Sequence, residues 1–375
     1  MHTIRRNLFT IKMETAPMTG INIYEIPALI QISPPAENNS DSYKDGVSRA
    51  MGFFKADMSV NNTPARAVAF KDQYIEPRWG FVFESPENYI QQSAYLKPET
   101  LLRDIANRNL DDAIILPEGS TYFMAYNHDY ANYYHWTLQC LPSLCLYAAL
   151  KNLNSELKLL LPSNLPGFAK QYLDMLDIDM GTDVQLLPLQ DRLFFAKQLL
   201  YPSFLGGEFS FNTSPVMLDY LECLYKRKLG SNSHDGEIAG KKRILYCARL
   251  DSSNRRIINE KEVISFLEEN FEAEIFVSTG KSVAEQAEKF NSADILISPH
   301  GAGMSNLVFC KQGTTIIEIM PDKYINPCFA TLALAKGCNY HPFSFPTRTF
   351  DGHQHNYEWE IDISQLKDIL SKNID

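Results

Sequence analysis

Residues 292–321, SADILISPHGAGMSNLVFCKQGTTIIEIMP, limit the possible folds more than any other stretch of the chain. The apolar run Ile295-Leu296-Ile297 ends at Ser298-Pro299, and His300-Gly301-Ala302-Gly303 follows. A short apolar helix is predicted next, closed by Gly313, with Thr314 to Met320 as a second buried strand. A strand that feeds a glycine turn and then a helix N-terminus suits an anion. Glycine lets the backbone approach closely, and the first N–H groups of a helix have no partner within it.

The same alternation runs upstream. Arg243 to Ala248 reads as a strand. Asn259 starts a helix with Glu262 placed for a capping box, and Val263, Phe266 and Leu267 supply its buried face. Glu274 to Val277 is a strand, and Ser282 with Glu285 opens another helix before Ile295. This order predicts a doubly wound parallel sheet, whose ligands lie beyond the carboxyl ends of the strands. Those ends carry Arg249, Ser278-Thr279 and His300-Gly301, with Glu318 inside the last strand.

The first half is less regular. Ala113 to Leu116 and Thr121 to Ala125 read as paired strands joined by a turn at Pro117-Glu118-Gly119. Strands at Leu157 to Leu161, Val184 to Leu187 and Phe194 to Tyr201, with helices at Gly167 to Leu176 and Pro215 to Leu229, imply a mostly parallel sheet here too. A chain of 375 residues favours two domains over one. The expected division is residues 1–60 as a segment whose pattern specifies no structure, an α/β domain over 61–228, a polar linker over 229–242, and a nucleotide-binding domain over 243–345. A tail over 346–375 is expected to pack back on the first domain.

The formal net charge of −10 excludes a dense basic field for nucleic acid. The seven cysteines are scattered with no CxxC pair, which suits buried thiols in a reducing compartment and not zinc. The N-terminus has no apolar h-region, and no stretch approaches the roughly 20 apolar residues of a membrane span. The expectation is a soluble cytoplasmic protein, compatible with peripheral attachment to a membrane. The glycosylation sequons at Asn61 and Asn212 carry little weight without a secretion signal.

Several clusters could carry chemistry. Arg249, Arg255 and Arg256 lie in one strand-to-helix loop, and guanidinium groups grip phosphate through paired N–H donors. A solvated basic loop is the plain alternative for any one of them. His300 is either a turn residue bonded to backbone or a donor to a leaving phosphate. Glu318 sits in the apolar strand TTIIEIM, where a buried carboxylate needs a partner, either a structural cation or a ribose hydroxyl. The run from Asn127 to Trp136, NHDYANYYHW, places Asn132 as a helix cap with Tyr133, Tyr134, His135 and Trp136 in the first turn. Aromatic packing accounts for Tyr133 and Trp136. His128, Asp129 and His135 remain as polar groups at a loop-to-helix junction, and Pro142 should kink the helix that follows. The DxD at Asp177-Ile178-Asp179 and the HxH at His353-Gln354-His355 are read as non-functional.

Together these motifs resemble glycosyltransferase family 61. The resemblance rests on Arg249 to Glu260 (RLDSSNRRIINE), Ala284-Glu285-Gln286, residues 294–321, and Asn132-Tyr133-Tyr134-His135-Trp136 with Leu141-Pro142. It spans roughly residues 115 to 325. It implies an α/β fold of GT-B type, two facing Rossmann-like doubly wound domains with the nucleotide-sugar donor on the second and a glycan acceptor on the first. The implied activity is inverting sugar transfer in surface or capsular polysaccharide synthesis, with no bound metal or other cofactor and no nucleic-acid partner. In that frame Arg249, Arg255, Arg256, Gly301, Ala302 and Gly303 hold the donor diphosphate. Glu318 and Thr279 face the nucleoside, and His300 assists departure. His135 first and Asp129 second are candidates for the base, with His128, Asn132 and Tyr134 on the acceptor side. The alternatives are another nucleotide-sugar transferase, such as a polysaccharide pyruvyl transferase, or a non-catalytic assembly subunit. An NAD enzyme is disfavoured because ARLDSSNRR, after the domain's first strand, lacks GxGxxG.

Overall fold

The computed structural model describes residues 12–15, 22–26, 65–94, 98–152, 154–189, 191–202, 205, 215–228, 242–250, 252, 254–326, 328–350 and 357–374. The expected linker, apart from residue 242, both sequons and the HxH triplet lie outside these residues. The chain is a mixed α/β protein of two compact units that divide between Leu224 and Tyr225. The last turn of the helix Pro215–Lys228 thus belongs to the second unit, where the Tyr225 ring lies 5.8 Å from that of Phe309.

The first unit is built on the strand Phe194–Pro202. On one edge it pairs antiparallel with the long strand Ala65–Glu76, which pairs in turn with Asn22–Ile26. On the other edge lie Thr121–Met124, Leu157–Pro162 and Val184–Leu187, all parallel to it. The expected hairpin between the 113–116 and 121–125 segments does not form. Ile114–Ile115 and Thr121–Met124 both run parallel to Phe194–Pro202 on the same edge, one after the other. Pro117 to Ser120 therefore bulges outward without reversing the chain.

The parallel strands lie in the spatial order fourth, first, second, third, so the winding reverses between Thr121–Met124 and Phe194–Pro202. The chain leaves Thr121–Met124 at this switch point, as Ala125 to His128. A buried carboxylate braces it from beneath. Glu76 accepts hydrogen bonds from Arg78 Nε and the Trp79 N–H, both at 2.8 Å, which folds the 77–80 turn back on the strand. Burial raises the Glu76 pKa, and the Arg78 hydrogen bond opposes that rise. Tyr126 Oη then donates to the Pro77 carbonyl at 2.9 Å. Gly80 has φ +64°, and a Cβ there would lie 2.8 Å from the Tyr126 carbonyl oxygen, so the close approach needs glycine.

Asn132 caps the next helix as expected, its side chain accepting from the Tyr134 N–H at 2.9 Å. The break at Pro142 takes a specific form. Tyr133–His135 and Leu141–Lys151 are α-helical, and Trp136–Cys140 between them is a π turn. Proline has no N–H for the Leu138 carbonyl and its ring crowds that group, so a widened turn just upstream relieves both problems.

The second unit holds a parallel five-stranded sheet in the order Glu274–Val277, Ile244–Ala248, Ile295–Pro299, Thr315–Pro321, Asn339–Phe345. In chain order this is 2-1-3-4-5, a doubly wound arrangement whose switch point lies between Ile244–Ala248 and Ile295–Pro299. The capping box of Ser282 with Glu285 forms as expected. The one expected at Asn259 does not. Its amide donates to the Ile361 carbonyl at 2.8 Å and accepts the Ile361 N–H at 3.1 Å.

That clamp explains a second correction. The tail, expected to return to the first domain, completes the second unit's own core. Tyr357, Trp359, Ile361, Leu366 and Leu370 pack with Tyr246, Ile257, Val263 and Ile297. The strand Tyr357–Trp359 pairs with Arg256–Ile257, and Trp359 Nε1 donates to the Arg255 carbonyl at 2.9 Å.

Replacing Asn259 by Ala should leave the buried Ile361 N–H and carbonyl without partners and cost about 2 kcal/mol. Urea unfolding of the variant against wild type measures this, and an unchanged midpoint would show that the clamp contributes nothing.

Candidate active site

Each unit carries a polar cluster at its switch point. In the second unit it starts with Arg249, the first residue beyond Ile244–Ala248. Its guanidinium donates to the His300 carbonyl (3.0 Å), Ser252 Oγ (2.9 Å) and the Asn254 carbonyl (2.8 Å). It lies directly over Gly301, where a Cβ would fall 1.7 Å from Arg249 Nη1. A side chain at position 301 would therefore displace the guanidinium that crosses it. Gly303 is a milder case, since a Cβ there would sit 3.3 Å from both Cys247 Sγ and Ser278 Oγ.

The helix predicted after the glycine turn is a 3-10 helix, Ala302–Phe309. Asn306 secures it, donating to Gln286 Oε1 at 2.7 Å and to the Gly303 carbonyl at 3.0 Å. The guanidinium of Arg249 therefore stands beside the amino end of a helix. Two positive features so close together favour an anion between or beside them.

Glu318 is fully buried and both its oxygens are engaged. Oε1 lies 2.5 Å from His300 Nδ1, and Oε2 accepts from the Tyr340 hydroxyl on the adjacent strand. Such a carboxylate would cost several kcal/mol unpaired, and His300 and Tyr340 offset that. The ribose contact expected of Glu318 is not what its oxygens make. They orient His300, whose Nε2 has no hydrogen-bond partner among the described residues. The His300 ring is packed by Tyr324 and Phe329, with centroids 5.3 and 5.1 Å away.

The three arginines separate. Arg255 has a left-handed backbone, φ 52°, and stacks 4.6 Å from the Tyr324 ring centre, which places it beside His300. Arg256 pairs with Glu358 on the neighbouring strand at 3.2 Å and is largely exposed. The two neighbouring arginines thus take different partners, the Tyr324 ring for Arg255 and the Glu358 carboxylate for Arg256. Thr279 lies in the turn after Glu274–Val277, at the same sheet edge.

In the first unit, Asn127 lies just past Thr121–Met124 and is buried. Its Oδ1 accepts the Asp129 N–H at 3.1 Å, and its Nδ2 donates to the Leu205 carbonyl at 2.8 Å and to Gln139 Oε1 at 2.6 Å. The same Gln139 oxygen lies 2.9 Å from His135 Nδ1. Asp129 Oδ2 is 2.9 Å from His128 Nε2 and 3.7 Å from His135 Nε2. Burial lowers the His135 pKa below the ordinary imidazole value. The Gln139 hydrogen bond and the Asp129 charge oppose this, and His128 reinforces it. Tyr134 sets its ring edge-on to His135 at 5.0 Å, while Asn132 serves as the exposed cap. Tyr133 packs on Phe168 and its hydroxyl lies 3.1 Å from that of Tyr172, the structural role expected of it.

Residues 133–317 match the family model described as Glycosyltransferase 61. The chain carries a glycosyltransferase family 61 domain. The match is narrower than the 115–325 span of the resemblance, yet it begins at Tyr133 in the first unit and ends beside Glu318 in the second. Beta-1,2-xylosyltransferase RCN11 of Oryza sativa subsp. japonica is 32% identical over 98 residues, which are 24% of this chain and 18% of that protein. Alpha-1,3-arabinosyltransferase XAT3 of the same species is 38% identical over 69 residues, 18% of this chain and 12% of the relative. The Homo sapiens protein O-linked-mannose beta-1,4-N-acetylglucosaminyltransferase 2 is 32% identical over 111 residues, 28% and 19% of the two chains. The chain thus spans less than a fifth of the length of each of these relatives.

The family 61 domain holds His135, all three arginines, Thr279 and the His300 to Gly303 turn, whereas His128, Asp129, Asn132 and Glu318 fall outside the match. Sequence reasoning missed Gln139, Tyr324 and Tyr340. Gln139 had a readable signal, four residues after His135 on one helix. Tyr324 and Tyr340 had none, because they reach the site only through the fold. Among the described residues no group of three or more His, Cys, Asp or Glu could hold a metal ion, and no helix is long and apolar enough to cross a membrane. Asp179 of the DxD closes a turn, accepting the Gly181 N–H at 2.6 Å. Cys140, Cys145, Cys247, Cys310, Cys328 and Cys338 are all buried.

Replacing Gly301 by Ala should push Arg249 off three acceptors and lower stability by about 1–3 kcal/mol. Gly303→Ala should cost clearly less. Chemical denaturation of both variants checks the order, and equal losses would remove Arg249 as the reason for Gly301.

Proposed function

We propose that this chain is an inverting glycosyltransferase that moves a sugar from a nucleotide-sugar donor to a hydroxyl of a glycan or related acceptor. The observation that carries this reading is the Arg249 guanidinium lying over Gly301 at a switch point, within a glycosyltransferase family 61 domain. A fixed cation beside a helix end is what a diphosphate needs. The named transferase activities of the relatives support the reaction class. Donor on the C-terminal unit, acceptor on the N-terminal unit and a GT-B arrangement are parts of this proposal, as is a role in surface polysaccharide synthesis.

In this reading Arg249, Arg255 and the amides of Gly301 to Gly303 bind the diphosphate. His300, aimed by Glu318, donates to it as negative charge builds on departure. His135 takes the proton of the acceptor hydroxyl, with Asp129 stabilising the imidazolium. A single displacement by the activated hydroxyl inverts the anomeric centre. No step calls for a metal.

A thermal-shift screen against nucleoside diphosphates and nucleotide sugars tests the donor side, since a ligand of the folded state raises the melting temperature. Arg255→Ala should weaken the best binder about tenfold or more, the scale of one charge-assisted contact. Arg256→Ala should leave it unchanged, because that guanidinium is occupied by Glu358. Equal effects of the two would refute the placement of the diphosphate.

His135→Ala should lower kcat roughly 10²- to 10⁴-fold, the usual contribution of a general base. A base acts only when deprotonated, and burial lowers this group's pKa. The rate should therefore rise with pH through a midpoint below the ordinary imidazole value. A pH–rate profile whose acid limb is centred above that value would remove His135 from the role.

A further inference from the structure

The cluster around His135 carries more than the identity of a base. A neutral imidazole has one N–H and one lone pair, and its use as a base depends on which nitrogen holds the lone pair. Side-chain amides can be placed either way round, so a single contact to Gln139 would decide nothing. Here the choice is forced from the backbone outward.

Asn127 is the starting point. Its Oδ1 faces the Asp129 N–H, which can only donate, and its Nδ2 faces the Leu205 carbonyl, which can only accept. Turning the amide round would set donor against donor and acceptor against acceptor. Its Nδ2 therefore donates, and the atom of Gln139 at 2.6 Å must be the acceptor Oε1. That oxygen also meets His135 Nδ1 at 2.9 Å, so Nδ1 must carry the hydrogen. The lone pair of the neutral ring is then on Nε2. The π turn places Gln139 for this, since Trp136–Cys140 sets its phase relative to His135 while Gln139 stays buried.

We infer that Asn127 and Gln139 are positioning residues that pass hydrogen-bond polarity from two backbone groups to His135, holding it as the Nδ1–H tautomer with Nε2 ready to accept a proton. What Nε2 does in catalysis rests on the transferase reading above, but the tautomer does not. Nε2 lies 3.7 Å from Asp129 Oδ2, too far for a direct hydrogen bond, and both atoms are acceptors when His135 is neutral. A hydroxyl in that gap satisfies one of them and places its proton for transfer. On transfer the acceptor O–H bond breaks and the proton passes to Nε2. The freed oxygen pair forms the bond to the anomeric carbon. The bond from that carbon to the diphosphate oxygen breaks, and its pair leaves with the diphosphate.

The charged or titratable groups acting on His135 are Asp129 and His128 from the preceding loop, with Tyr134 at its ring edge. Cys140, one turn on, has its thiol pushed up to about 12 by burial and stays neutral.

The test is made on the full chain labelled with ¹⁵N-histidine, reading the His135 tautomer from long-range ¹H–¹⁵N correlations above its pKa and assigning the signals by their loss in His135→Gln. The expected result is a protonated Nδ1 and a bare Nε2. Gln139→Met removes the acceptor, and should release the tautomer and lower kcat about 10- to 100-fold, part of a base's contribution, with donor KM unchanged. Gln139→Glu keeps an acceptor, and should retain the tautomer while moving the acid limb of the pH–rate profile to higher pH, since its charge favours imidazolium. A wild-type spectrum showing Nε2–H overturns the inference whether or not Gln139→Met folds, and so does a tautomer unchanged in that variant. If the tautomers are as stated but His135→Ala turns over like wild type, the transferase base is wrong and the catalytic part falls with it, while the tautomer assignment stands.

Discussion

The contact between Arg249 and Gly301 joins the two strands at which the second unit's sheet reverses its winding. At such a point the helical connections of neighbouring parallel strands leave to opposite faces of the sheet. Arg249 spans this point by donating to the carbonyl of His300, the residue before the glycine. That bond fixes where the glycine turn sits, and hence the direction of the 3-10 helix and the attitude of the imidazole. A side chain at position 301 would occupy the same space as the guanidinium. Glycine serves here to admit an arginine, and the arginine in turn brings a fixed positive charge to the mouth of the sheet.

Both clusters solve one physical problem in different ways. A histidine near the surface of a crevice has to be held in a defined orientation and protonation pattern without losing access to solvent or substrate. In the second unit a carboxylate does this, with Glu318 buried between His300 and Tyr340 and stabilised by both. In the first unit uncharged amides do it, anchored on backbone groups whose polarity cannot change. The chemical consequences differ. In the second unit the group set against Nδ1 is a carboxyl. In the first unit it is an amide oxygen, which adds no full charge, and burial lowers the His135 pKa.

Much of the second unit was legible in the sequence because its strands are continuous apolar runs punctuated by caps and glycines. Ile295 to Pro299 and Thr315 to Met320 could hardly fold otherwise. The first unit was harder. Ile114–Ile115 and Thr121–Met124 are separated by a Pro-Glu-Gly turn signal, and local rules alone favour a hairpin. The strand Phe194–Pro202, remote in sequence, offers both segments a parallel edge and overrides that preference. Asn259 failed as a cap for a similar reason, since a tail a hundred residues away supplies two buried backbone groups that its amide satisfies better.

The sequence by itself determined the alternation of strands and helices, the residue types at the strand ends and the family to which the central stretch belongs. These depend on periodicity, capping and short motifs, which are properties of neighbouring residues. Only the tertiary structure decided which polar groups meet. It separated Arg255 from Arg256, gave both oxygens of Glu318 to His300 and Tyr340, and connected Asn127 through Gln139 to His135. Hydrogen-bond polarity and charge pairing act over a few ångströms in space, and no pattern along the chain records which distant residue will complete them.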